Sequence, residues 1–143
     1  MSSKDIRNLE PKALWNNFYS LTQIPRPSGK KEKIGQFLVE FGKSLGLETL
    51  QDEIGNVLVR KPATPGMEDR QAVVLQSHMD MVPQKNSNVD HDFEKDPIDA
   101  FVDGEWVRAN STTLGADNGI GVAAAMSILQ STDIPHPAVE MFI

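Results

Sequence analysis

The chain has 143 residues, about the length of one ordinary domain, and 39% of them are hydrophobic. Its net charge of −6 argues against a nucleic-acid partner, and the absence of cysteine excludes disulfide bonds and thiolate metal sites. No apolar run is long enough to span a bilayer. We therefore expect a cytoplasmic protein without a nucleic-acid or membrane partner, in which any metal ion has nitrogen and oxygen ligands.

Two amphipathic helices are predicted first. One should start at Pro11 and end before Pro25, because residues that precede proline avoid the helical conformation. The second should follow Ser28, whose side chain can cap it, and should stop at Gly46. The apolar residues that recur with the helical period are Leu14, Phe18 and Leu21 in the first helix and Ile34, Phe37, Leu38, Phe41 and Leu45 in the second.

Strands are predicted next. Residues 48–52 and 56–60 are separated by a short connection that is consistent with a hairpin. Residues 72–76 are a continuous apolar run, typical of a strand that is covered on both faces inside a parallel sheet. Residues 98–102 and 105–109 flank Asp-Gly, a strong hairpin signal.

The last predicted elements are a helix over residues 118–130 and a strand over residues 138–143. The helix should pack through Ile120, Ala123, Ala124, Ser127 and Ile128. The order of helices, hairpins and strands along the chain predicts an α/β fold, in which helices pack on a sheet. Loops at strand ends are then the natural place for a functional site.

His78 and Asp80 follow the apolar run directly. In an extended chain, residues two positions apart point to the same side, so Asp80 can accept a hydrogen bond from the ring nitrogen that His78 does not use for a metal. The alternative is a structural histidine beside a turn-forming aspartate. The short motif alone favours that alternative, because His-x-Asp recurs by chance.

Asp117 stands where a glycine-rich turn opens a helix. An aspartate in this place is often only an N-cap. The neighbouring Gly115, Gly119 and Gly121 favour a functional interpretation, since glycine lowers helix stability and allows the backbone to pass close to another group.

Other candidates receive structural interpretations. We expect His91 to lie in a solvated loop, His136 to be a turn residue between two prolines, and Trp106 to be half-buried packing in a hairpin. The chain has no Gly-x-Ser-x-Gly elbow, which gives no support to nucleophilic serine catalysis.

Together these segments resemble the beginning of the co-catalytic di-zinc peptidases of the aminoacylase and carboxypeptidase-G type, and in particular their aminoacyl-histidine dipeptidase branch. Members of this family hydrolyse Xaa-His and similar dipeptides. The resemblance is carried by residues 24–29, 52–57, 60–66, 74–86, 91–97, 103–107 and 112–121, in the order expected for the family.

The resemblance implies a role for each candidate. His78 would bind one zinc ion and Asp117 would bridge both. Asp80 would be a catalytic residue, as the carboxylate that orients His78. The bond between Asp117 and Asn118 would be cis. The cofactor would be two Zn²⁺ per full-length chain, with Mn²⁺ or Co²⁺ as alternatives.

The resemblance also implies the three-layer α/β fold of zinc exopeptidases. Residues 1–143 would be the incomplete N-terminal part of the catalytic domain, and the general base would lie beyond Ile143. We therefore expect this chain alone to be inactive, and to self-associate through an open edge of its last strand. The alternatives are an amide hydrolase or deacylase of the same fold and a non-catalytic binding module.

Overall fold

The computed structural model describes residues 4–143 of the chain. After a short 3₁₀ turn at Ile6–Asn8, this part contains three α-helices and six strands in two sheets. The helices are α1 (Lys12–Thr22), α2 (Glu32–Ser44) and α3 (Ala116–Gln130). The strands are β1 (Glu48–Gln51), β2 (Val57–Lys61), β3 (Val73–Gln76), β4 (Ala100–Asp103), β5 (Trp106–Ala109) and β6 (Val139–Phe142).

The main sheet has four strands in the order β1-β2-β6-β3. β2 pairs antiparallel with both β1 and β6, whereas β3 runs parallel to β6. β4 and β5 form a separate antiparallel hairpin. The α/β fold with a mixed sheet flanked by helices is therefore confirmed.

The core lies on one face of the main sheet. Val57, Val59 and Met141 point to this face and are fully buried against the helices. The alternate residues point to the other face, where Leu50 and Phe142 are exposed. Residues 4–143 thus supply the sheet and a helical layer on one of its faces.

The predicted ends of the first two helices are confirmed, but the predicted start of the second helix is not. α1 ends at Thr22, ahead of the prolines, and Gly46 adopts a positive φ of 70° just after α2. Ser28 does not cap α2, so that prediction is wrong. The helix begins after Lys31 without a side-chain cap, and the Ser28 hydroxyl bonds elsewhere, to Asp80.

The buried face predicted for α3 is wrong by a fraction of a turn. Ala123 is buried as expected, but Ala124 is exposed. The helix is apolar on nearly every side, so hydropathy does not fix its rotation. The residues that α3 buries are Gly119, Val122, Ala123, Ala125, Met126 and Leu129.

Lys61, the last residue of β2, binds backbone carbonyls at the C-terminal end of α3. The ammonium group of Lys61 donates to the carbonyl of Ile128 at 3.0 Å and to that of Ser131 at 2.6 Å. A cation at this end satisfies helix carbonyls that have no partner within the helix and opposes the negative end of its dipole. Burial lowers the pKa of the Lys61 amine.

Two predictions about strand exposure are wrong. β6 lies between β2 and β3 and is paired on both sides, so it has no open edge. The edges of the described sheet are β1 and β3, and on β3 Val73 and Val74 are 43% and 55% exposed instead of covered. Self-association remains a prediction, and of the two edges among residues 4–143 we expect β3 to carry it, because two apolar side chains, Val73 and Val74, are exposed there.

The β4–β5 hairpin forms as predicted around Gly104, which has a φ of 63°. Trp106 on this hairpin is 73% exposed, so the prediction that it is half-buried packing is wrong. None of the helices within residues 4–143 combines the length and apolarity that crossing a membrane requires.

Candidate metal centre

The site begins where β3 ends. Burial alternates along residues 78–81, as in a strand: Met79 and Met81 are each only 3% exposed, whereas His78 is exposed and Asp80 is partly exposed. The Nδ1 atom of His78 lies 3.1 Å from the Oδ1 atom of Asp80 and 3.1 Å from its backbone oxygen. Both neighbours are acceptors, which indicates that Nδ1 carries a proton and donates it to Asp80.

Asp117 reaches the same place from the entry to α3. Its peptide bond to Asn118 is cis, as the resemblance implies, and both residues have non-helical backbone angles. The N-cap role falls to Asn118, whose Oδ1 accepts a hydrogen bond from the amide of Gly121 at 3.1 Å. The carboxylate of Asp117 is left with its side chain 97% exposed.

The two candidate ligands meet in front of the sheet. The Nε2 atom of His78 lies 3.0 Å from the Oδ1 atom of Asp117. Two ligands on one tetrahedral zinc ion, at bond lengths of about 2.1 Å, stand about 3.4 Å apart. The observed pair therefore needs a shift of only a few tenths of an ångström to hold a metal ion, and its nitrogen and oxygen donors suit zinc. The residues fit the metal that the resemblance implies.

Asp80 does not act as a third ligand in this arrangement. Its Oδ1 faces His78, and its Oδ2 accepts a hydrogen bond from the Ser28 hydroxyl at 2.5 Å. This hydroxyl is the main cause that lowers the pKa of the Asp80 carboxyl, with burial opposing it and the charge of His78 adding to it. Asp80 is therefore anionic and bonded through both oxygens, as an orienting carboxylate requires.

The segment that carries Ser28 also carries a buried arginine. Arg26 is 1% exposed, and the backbone of the segment pairs with that of Met81. Burial lowers the pKa of Arg26 to about 10, and the charge of Asp80 opposes this, so the guanidinium is protonated at neutral pH.

The glycines around Asp117 leave room for two side chains. A Cβ atom at Gly115 or Gly119 would stand 2.6 Å or 2.8 Å from the Nη2 atom of Arg26, and one at Gly121 would stand within bonding distance of the Asn118 amide. The interpretation that the backbone passes close to another group is confirmed in this sense.

The other two histidines do not join the site. His91 is partly buried rather than solvated: its ring packs edge-on against Phe93 at 4.5 Å between centroids, and its Nε2 atom is buried without a partner. His136 is buried, with Nδ1 2.7 Å from the carbonyl of Pro137. Within residues 4–143 no group of three or more His, Asp or Glu side chains could hold a metal ion.

Ser28 and Arg26 are the site residues that sequence reasoning missed. Both lie in residues 24–29, a segment that carries the resemblance, but neither residue type has a spacing that predicts these contacts. Only the fold brings them to Asp80, more than fifty positions along the chain.

Comparison with known proteins was made by sequence and by structure. No protein-family model matches the chain. Over 139 residues, 97% of its length, the chain is 48% identical to the cytosol non-specific dipeptidase of Escherichia coli. The matched part is 29% of that protein, so the chain spans less than a third of the length of this relative.

Solved structures give the same picture. The crystal structure of aminoacylhistidine dipeptidase from Vibrio alginolyticus superposes with a TM-score of 0.96 at 48% identity, covering 98% of this chain and 29% of the other. A tripeptidase from Staphylococcus aureus has a TM-score of 0.73 at 26% identity, covering 92% of this chain and 35% of the other. The resemblance to aminoacyl-histidine dipeptidases and the peptidase fold predicted from the sequence are confirmed.

Proposed function

We propose that residues 1–143, which match the first of these dipeptidases over nearly their whole length, are the N-terminal part of the catalytic domain of a cytoplasmic, metal-dependent dipeptidase. Its substrates would be Xaa-His and related dipeptides. The observation that carries the proposal is the approach of His78 Nε2 to Asp117 Oδ1, at 3.0 Å, with Asp80 on the other ring nitrogen. The identity to a dipeptidase supports it independently.

Zn²⁺ is the metal that we propose, two ions per full-length chain, with Mn²⁺ and Co²⁺ as alternatives because imidazole and carboxylate suit several metals. His78 would hold one ion, and Asp117 would bridge both. When bound, the metal supplies Lewis acidity, which lowers the pKa of a water molecule and polarises the scissile carbonyl.

The chain's own residues prepare this site. The hydrogen bond from Nδ1 of His78 to Asp80 orients the ring, so that Nε2 faces Asp117 and would be the nitrogen that binds the metal. The Ser28 hydroxyl donates to Asp80 and lowers the pKa of its carboxyl, so Asp80 stays anionic and can hold the His78 ring in place. Asp117 keeps its carboxylate free because Asn118 caps the helix in its place.

The general base and the remaining ligands would lie outside this chain. The resemblance places the general base after β6, and Glu140 is the acid within that strand. Its carboxylate accepts a hydrogen bond from Arg60 at 2.9 Å, on the sheet face that the helices do not cover. Residues 4–143 also lack a complete group of metal ligands. We therefore propose that the chain alone is inactive.

The test uses the full-length protein that contains this segment. Hydrolysis of Xaa-His dipeptides and of N-acyl amino acids would be measured before and after chelation, together with metal content. We expect about two metals per chain and dipeptide hydrolysis that chelation abolishes and Zn²⁺ restores. His78→Ala and Asp117→Asn should abolish activity, whereas His91→Ala, a histidine outside the site, should retain it.

The alternatives give different outcomes. Hydrolysis of N-acyl amino acids without dipeptide hydrolysis would indicate a deacylase of the same fold. A folded protein that binds no metal and hydrolyses neither substrate class would refute the proposal and leave a binding module.

A further inference from the structure

Arg26 connects three parts of the chain through its guanidinium. Nε donates to the carbonyl of Leu21 at 3.4 Å, Nη1 to that of Met79 at 3.1 Å, and Nη2 to that of Gly115 at 2.9 Å. Leu21 belongs to α1. Met79 and Gly115 belong to the two segments that carry the candidate metal ligands.

The acceptors stand very close to those ligands. Met79 is the residue between His78 and Asp80, and Gly115 is two residues before Asp117. One planar group thus bonds the backbone on both sides of the 3.0 Å gap between His78 Nε2 and Asp117 Oδ1. A guanidinium donates in fixed directions from a rigid fork, so it fixes distances that a single flexible donor would not.

The surroundings of Arg26 are shaped to hold this group. Gly115 has a φ of 76° and touches Nη2 so closely that a Cβ atom there would be 2.6 Å away. At Gly119, a Cβ atom would meet both Nη2 and the Phe18 ring, at 2.8 and 2.9 Å. The fork therefore has little freedom to move, and neither have the segments bonded to it.

We propose that Arg26 is a positioning residue of the metal centre, which sets the separation of His78 and Asp117 by bonding the carbonyls of Met79 and Gly115. This inference rests on the proposed function, in that it requires these two residues to bind metal. It adds a residue that touches neither the metal nor its ligands' side chains.

The test compares Arg26→Lys and Arg26→Met with the unchanged full-length protein. Zn²⁺ affinity would be measured by competition with a chromophoric chelator, and the visible spectrum of Co²⁺-loaded protein would report ligand geometry. We expect Arg26→Met to lower Zn²⁺ affinity by about 10–100-fold, the range found for residues that support metal ligands. Arg26→Lys keeps the charge but loses the fork, so it should restore little of the affinity and should alter the Co²⁺ spectrum.

Lys61→Met is the matched control. Lys61 is also a cation that donates to backbone carbonyls around α3, but at the opposite end of the helix. It should lower the melting temperature and leave Zn²⁺ affinity and the Co²⁺ spectrum unchanged. Circular dichroism would show that each variant is folded at the temperature of the binding assay.

The outcomes separate a failure of the positioning role of Arg26 from a failure of the proposed function. Unchanged Zn²⁺ affinity and Co²⁺ spectrum in folded Arg26→Lys would overturn the inference and leave the proposed function intact. An equal loss of affinity in Lys61→Met would also overturn it, because the effect would then be one of general stability. If Arg26→Met does not fold, the Zn²⁺ affinity and Co²⁺ spectrum of Arg26→Lys alone test the inference. An unchanged protein that binds neither metal refutes the proposed function and this inference with it.

Discussion

Replacing Ser28 with alanine removes a hydroxyl that is linked to the proposed metal ligand His78 by two hydrogen bonds, through Asp80. The hydroxyl donates to Asp80 Oδ2 at 2.5 Å, and Asp80 Oδ1 in turn accepts from His78. No atom that would touch the metal changes in Ser28→Ala. The hydroxyl also lies 3.2 Å from the Met81 carbonyl, but its shorter contact is with Asp80, so we expect any effect on metal binding to pass mainly through the Asp80 carboxylate.

The size of the effect follows from the exposure of Asp80. A hydrogen bond to a charged group contributes about 1.5–3 kcal/mol. The Asp80 side chain is 29% exposed, so water can replace the hydroxyl in part, and the lower end of that range applies. We expect a loss of Zn²⁺ affinity of about 10-fold, which corresponds to about 1.4 kcal/mol.

The assay is competition for Zn²⁺ between the full-length protein and a chromophoric chelator at neutral pH. Ser28→Thr keeps the hydroxyl and should bind nearly as the unchanged protein does. Ser20→Ala, which removes a hydroxyl that donates to Asn16 within α1, should have no effect. Equal Zn²⁺ affinity in Ser28→Ala and the unchanged protein would refute the idea that Ser28 supports the metal ligand through Asp80.

Three further predictions concern the chain itself. Asn118→Ala removes the cap of α3 and should lower the free energy of unfolding by about 1 kcal/mol in urea titrations. Asp117→Ala should cost less, and the reverse order would contradict the assignment of the cap to Asn118. Hydrogen bonds from Arg7 lower the pKa of Asp5 from 3.8 to about 2, so this carboxylate stabilises the fold above pH 3.8, and the contribution is lost as the pH falls toward 2. Asp5→Asn should remove that part of the pH dependence of unfolding, and an unchanged profile would contradict it. If the chain self-associates through β3, Val74→Lys should reduce the apparent mass in light scattering, whereas Leu50→Lys on the opposite edge strand should not; equal effects would point away from β3.

Local patterns were enough to predict most elements. Helical spacing placed α1 and α2, and Gly46 marked the end of α2 because its positive φ disfavours other residues. The hairpin turn at Gly104 followed from the same preference. These features depend on residues that are close in sequence, so local patterns predict them.

Exposure and rotation could not be predicted in the same way. Val74 lies in an apolar run that predicts a buried strand, yet β3 forms an edge of the described sheet and Val74 is exposed. The order of strands in a sheet depends on contacts between residues that are far apart in sequence. The helix α3 is apolar on almost all sides, so its hydropathy does not determine which side it buries.

Only the part of the candidate site that depends on neighbouring residues could be predicted from the sequence. The spacing of His78 and Asp80 determines that they share a side of an extended segment, and the chain keeps that geometry. The contact with Ser28 links positions 52 residues apart, and no local pattern encodes it. Sequence motifs therefore identified the candidate metal ligands, and the fold shows which other residues contact them.

The position of β6 has a consequence for the order in which this part of the protein is built. β1 and β2 can pair as soon as both have been synthesised, but β3 has no hydrogen-bonded strand partner among the described residues until β6 arrives. The pairing of Arg60 with Glu140 joins positions 80 residues apart, so it can form only after most of this part of the chain has been synthesised. A nascent chain that has passed β3 but not β6 therefore carries an unpaired apolar strand, and it is at this stage of translation that chaperone binding would matter most.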